Sequence, residues 1–105
     1  MEMIVFWTDS AIEDLQKIYS YLILNVNENI ANKTTNLIVN RTISLENNPR
    51  IGQAEELLKH FKKEIRYLVE GHHKIVYLID ENFVIILTVF DCRQDPKKLK
   101  KIINL

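Results

Sequence analysis

The hydrophobic repeat of this chain changes once, from helical spacing over residues 9–46 to a period of two from Glu64 onward. A segment that buries a stripe every 3.6 residues and one that buries every second residue cannot share a secondary structure. The chain is therefore committed to helices first and strands afterwards. Ala11, Leu15, Ile18, Tyr19 and Leu22 form the first stripe, with Glu13, Asp14, Gln16 and Lys17 on the other side. Thr8, Asp9 and Ser10 all offer N-caps, and Glu13 stands three after Ser10, as a capping box requires. Residues 25–29 carry three asparagines, whose side chains compete with the helical backbone and favour a turn. A second helix restarts near Glu28, keeps the period through Ala31, Thr34, Ile38, Thr42 and Leu45, and ends at Asn47, Asn48 and Pro49. Residues 9–46 thus read as an antiparallel helical hairpin.

Residues 3–7 are a short apolar run consistent with a first strand, and residues 50–63 have no clean period, reading as a connecting loop with a turn of helix at 54–58. In the alternating region Ile65 and Tyr67 are placed on one face with His73, Ile75, Tyr77 and Ile79. A three-residue loop, Val69-Glu70-Gly71, would put glycine at the left-handed position. That loop sets Leu68 opposite His72 and Arg66 opposite Lys74, so Arg66, His72 and Lys74 share the polar face. A second turn at Glu81 and Asn82 opens a last strand over residues 83–91, sets Lys74 against Val89 and carries the same face through Asp91 to Arg93. Asp95 and Pro96 start a short C-terminal helix with Leu99, Ile102 and Ile103 as its apolar stripe. The expected fold class is α+β, in the order β-α-α-β-β-β plus that helix, with an antiparallel sheet packed on the helical hairpin. Leu15, Ile18, Leu22, Ile38, Tyr67, Ile75 and Tyr77 are its expected core.

At 105 residues, 47% hydrophobic and 27% charged, with two glycines, two prolines and no repeat, the chain reads as a single domain over residues 1–105. The lone Cys92 and the lack of an apolar leader or span suit a cytoplasmic protein without a membrane partner. No CxxC, HExxH, Walker or GxGxxG pattern occurs, so neither a metal nor a cofactor is expected. Net charge is zero but unevenly spread: from Arg93 onward Lys97, Lys98, Lys100 and Lys101 face only Asp95. This basic end is a solvated helix face or a surface for phosphate or an acidic target. Arg66, Lys74 and Arg93, brought together by the expected register, would form a cationic cluster. His72 on that face is a candidate general acid, and His73 a packing residue. His60 is assigned no role, Glu64 reads as the carboxylate pairing Arg66, and Cys92 as packing.

The segments FWTDSAIEDLQKIYSYL, NNPRIGQ, IRYLVEGHHKIVYLID and ILTVFDCRQDPKKL, in this order and spacing over most of the chain, resemble the RelE/ParE superfamily of type II toxin-antitoxin toxins, also known as the plasmid stabilisation family. The resemblance implies a growth-inhibiting toxin neutralised by a cognate antitoxin, as a homodimer or a hetero-oligomer with it. ParE-like members poison DNA gyrase, whereas RelE-like members cleave mRNA on the ribosome with basic residues. Arg66, Lys74 and Arg93 fall at basic positions of the family pattern. Glu64 stands where some of the nucleases carry lysine, and no Tyr or His follows Gln94. The chain is therefore expected to be ParE-like, with a ribosome-dependent endonuclease as the alternative and a non-toxic interaction domain as the third reading.

Overall fold

The computed structural model describes residues 2–55 and 62–93. Strand β1 (Ile4–Trp7) leads into helices α1 (Asp9–Asn25) and α2 (Glu28–Ile43), and α2 tightens into a 3-10 turn at Ser44–Glu46. Strands β2 (Gln53–Ala54), β3 (Glu64–Glu70), β4 (His73–Asp80) and β5 (Phe83–Asp91) follow. The five strands form one sheet in the order β1-β5-β4-β3-β2. All neighbours are antiparallel except β1 and β5, which run parallel because the helical hairpin carries the chain back before the strands begin. Residues 53–54 pair with Tyr67 and Arg66, so the expected loop and helical turn give way to an edge strand; the rest of that expectation, residues 56–58, lies outside the described residues.

Of the three cap candidates Thr8 is the one used. Its hydroxyl oxygen accepts the Ala11 N–H at 3.1 Å and donates to the Ile86 carbonyl at 2.9 Å, so the cap also fastens α1 to β5. Asn27 caps α2 by accepting the Ile30 N–H at 2.8 Å. Ala11, Ile38 and Leu45 pack against Leu68, Ile75, Tyr77, Ile79, Val84, Ile86 and Val89, with Leu15 and Ile18 half-buried beside them. Leu22 and Tyr67, expected in this core, lie elsewhere. Leu22 is half-buried at the wall of a groove, and Tyr67 packs on the opposite sheet face with Ile65, Val76 and Phe90.

The hairpin register departs from expectation. Glu70 pairs with His73, Val69 with Lys74, Leu68 with Ile75 and Arg66 with Tyr77, so the loop is the two residues Gly71 and His72. Gly71 has φ +60°, as expected, but it opens the turn instead of closing it, the arrangement of a two-residue turn with glycine first. Arg66 and Lys74 therefore occupy opposite faces, and Ile65 and Tyr67 are separated from Ile75 and Tyr77. The Glu81-Asn82 turn is as expected, but an irregularity between Val76 and Tyr77 shifts the β4–β5 pairing, setting Lys74 against Phe90 instead of Val89.

Candidate functional site

Each candidate cation is held by a carboxylate, and the three are held in different places. Arg66, on the helix side of β3, donates from Nε to Glu64 at 2.6 Å and from Nη1 to the Gly52 carbonyl at 2.8 Å. Arg50 grips the same Glu64 carboxylate with Nε and Nη2 at 3.0–3.2 Å. Glu64 therefore pairs Arg66 as expected, and the Arg66 and Arg50 guanidinium groups hold its carboxyl below its ordinary value despite some burial. Beside them the buried Tyr77 hydroxyl accepts the Gly52 N–H at 3.0 Å and donates to the Pro49 carbonyl at 2.7 Å. Burial pushes its phenol pKa up. Arg66 thus belongs to a clamp on residues 49–53.

Lys74 lies on the other face. Its Nζ is 2.6 Å from Glu55, whose side chain is 3% exposed, and 4.1 Å from the centroid of the Tyr67 ring. An ammonium enclosed by a carboxylate and an aromatic face is a packing device for β2 and the far sheet face. Arg93, just past β5, is 72% exposed and forms a fork with Asp91 through Nε at 2.8 Å and Nη2 at 2.5 Å. Its backbone N–H also reaches Asp91 at 2.8 Å, and together these bonds hold the Asp91 carboxyl far below the ordinary carboxylate range. Of the expected cluster, only His72 and Arg93 come near one another, through the Cys92 N–H bonded to the His72 carbonyl at 2.7 Å. Lys97, Lys98, Lys100, Lys101 and His60, with the expected C-terminal helix, lie outside the described residues.

His72, His73, Asp91 and Arg93 stand at the rim of a groove of about 750 Å³ between the helical hairpin and the ends of β3, β4 and β5. Its apolar lining comes from Ile18, Tyr21 and Leu22 of α1, Ile30 and Leu37 of α2 and Val89 of β5. Tyr21 is 64% exposed and Leu37 43%, so the walls are apolar surface left over after the core is closed. Asp14 anchors the floor, accepting the Thr88 hydroxyl at 2.6 Å and the Val89 N–H at 3.2 Å. His73, half-buried here, is held by that burial below the ordinary imidazole pKa, with Asp91 opposing and His72 and Arg93 adding to the shift. The residues that line this groove could not be named from the sequence. Its trace is in Tyr21, Ile30 and Leu37, which fall outside the helical stripes, while Ile18 and Leu22 of the first stripe also line it. No group of His, Cys, Asp and Glu among the described residues is arranged to hold a metal ion.

Comparison with known proteins agrees with this architecture. The family model of the ParE toxin of the type II toxin-antitoxin system parDE matches residues 5–96. The chromosomal ParDE system of P. aeruginosa superposes with TM-score 0.72 at 20% identity, covering 86% of this chain and 96% of that one. A chain of the RelBE2 toxin-antitoxin complex from Mycobacterium tuberculosis gives 0.58 at 22% identity, covering 87% and 92%. A doubly substituted mutant of the E. coli toxin RelE in the free state gives 0.60 at 14% identity, covering 99% and 93%. At these identities the structures bear on fold alone. No curated protein matches by sequence search.

Proposed function

The chain belongs to the ParE toxin family of type II toxin-antitoxin systems, and from that premise we propose that it inhibits DNA gyrase in the cytoplasm and is silenced by a cognate antitoxin. The observation that carries the gyrase reading is the dispersal of the cations. Phosphoryl transfer needs donors preorganised around one phosphate. Arg66 and Lys74 lie on opposite sheet faces, and Arg66, Lys74 and Arg93 face three different carboxylates. No catalytic role for Arg66, Lys74 or Arg93, with His72 as acid, is needed in this reading. Lys97, Lys98, Lys100 and Lys101 are its proposed target contacts, suited to an acidic protein surface or to DNA.

The antitoxin is proposed to occupy the groove. Apolar walls with charged rims fit the apolar face of a segment that orders as it binds. The deciding experiment sets the purified toxin against gyrase with plasmid DNA and, in parallel, against translating ribosomes. Lost supercoiling or trapped cleaved DNA, with intact mRNA, is the expected result. Ribosomal cleavage that disappears with Arg93→Ala would replace this reading with the endonuclease one, and inactivity in both assays would leave the interaction-domain reading.

A further inference from the structure

All four arginines of the chain, Arg41, Arg50, Arg66 and Arg93, turn Nε toward a carboxylate of the same chain. Glu64 receives Nε of both Arg50 and Arg66, at 3.1 and 2.6 Å. Asp91 receives Nε of Arg93 at 2.8 Å, and Arg41 Nε lies 3.8 Å from Glu70. In Arg50 and Arg93 the Nη2 group joins Nε on the carboxylate. The edge carrying Nε and Nη2 is the one that takes two phosphate oxygens at once. A guanidinium engaged this way must give up charge-assisted bonds before it can grip a nucleic-acid backbone.

We propose that Glu64 and Asp91 are specificity determinants that withhold Arg50, Arg66 and Arg93 from phosphate and so keep RNA off this protein. The inference rests on the gyrase reading and deepens it, by naming the residues that close the alternative target. Glu64 acts twice, since one carboxylate occupies two guanidinium groups. Its pair with Arg66 is sheltered, the two side chains being 34% and 26% exposed, so salt screens it weakly. Asp91 holds a more exposed partner through local geometry, with three bonds from a residue two positions along the chain.

The test is fluorescence anisotropy of a single-stranded oligoribonucleotide titrated with the full chain across a KCl series. It compares the unmodified protein with Glu64→Gln, Asp91→Asn and the charge control Glu13→Gln, exposed on α1 and without an ion pair among the described residues. Each further phosphate neutralised by a released arginine should steepen the slope of log affinity against log salt by about 0.7. Asp91→Asn should add one such step and Glu64→Gln up to two, of which Arg50→Gln in the Glu64→Gln background removes one. Glu13→Gln should leave the slope unchanged. Equal slopes for all proteins, or a Glu13→Gln increase matching the others, would overturn the proposal. Should Glu64→Gln fail to fold, Asp91→Asn carries the comparison alone. The RNA titration is independent of the supercoiling assay, so failure of gyrase inhibition and failure of arginine withholding are separately visible.

Discussion

At the scale of single residues, Tyr77 and Gly52 show how one hydroxyl can hold a loop. A Cβ on Gly52 would lie 2.5 Å from the Tyr77 Oη and 2.6 Å from the Tyr67 carbonyl oxygen, so backbone would have to move. Gly52→Ala should lower stability by about 1–3 kcal/mol in urea denaturation, as overpacking does. Tyr77→Phe should cost about 1–3 kcal/mol, because it leaves the Gly52 N–H and the Pro49 carbonyl without their buried partner. His73 supplies a pH effect. Its pKa is lowered in the fold from the ordinary 6.5, so the unfolded chain binds the proton more tightly. Stability from its neutral form is complete above 6.5 and falls as pH drops from there toward the depressed folded value. His73→Gln should flatten the urea midpoint in that window, and an unchanged pH profile would count against the burial argument.

At the scale of elements, the two hairpin turns make the same backbone demand and meet it with different residues. Gly71 opens the β3–β4 turn with φ +60°, whereas Glu81 opens the β4–β5 turn with φ +55° and a side chain that disfavours it. Gly71→Ala should cost about 1–2 kcal/mol from backbone strain alone, since nothing lies within 4 Å of the added Cβ. Glu81→Asn should gain up to about 1 kcal/mol, because asparagine tolerates the left-handed region. Thermal melts of the two variants should move in opposite directions. The helical hairpin divides its apolar residues between core and groove, and truncations should follow that division. Ile75→Ala, from a fully buried site on β4, should cost about 2–5 kcal/mol. Leu22→Ala should cost less, because Leu22 is half-buried at the groove wall and not in the core.

Over the whole molecule, the groove is where helices and sheet meet without closing. Leu37→Glu should leave the denaturation midpoint nearly unchanged, because Leu37 is 43% exposed, yet should weaken antitoxin binding by more than about 1 kcal/mol. Calorimetric titration with the proposed cognate antitoxin would read that loss, and unaltered affinity would move the docking site elsewhere. No helix among the described residues is long and apolar enough to cross a membrane.

Much of the fold was legible because hydrophobic period, caps and turn residues are local properties. The helical hairpin, the strands from Glu64 onward, the positive φ of Gly71, the Glu64–Arg66 pair and the family likeness were all open to reading from the residues. Register was not. Both faces of β3, β4 and β5 carry apolar side chains, so alternation could not choose between a two-residue and a three-residue loop, and a one-residue change moves every side chain to the other face. That choice, with the irregularity beside Val76, separated Arg66 from Lys74 and dissolved the expected cluster. The parallel seat of β1, the clamp of Tyr77 on residues 49–53 and the pairing of Lys74 with Glu55 join positions distant in the chain. Such contacts exist only once the helices have packed on the sheet, so the tertiary structure alone decided which cations could act together.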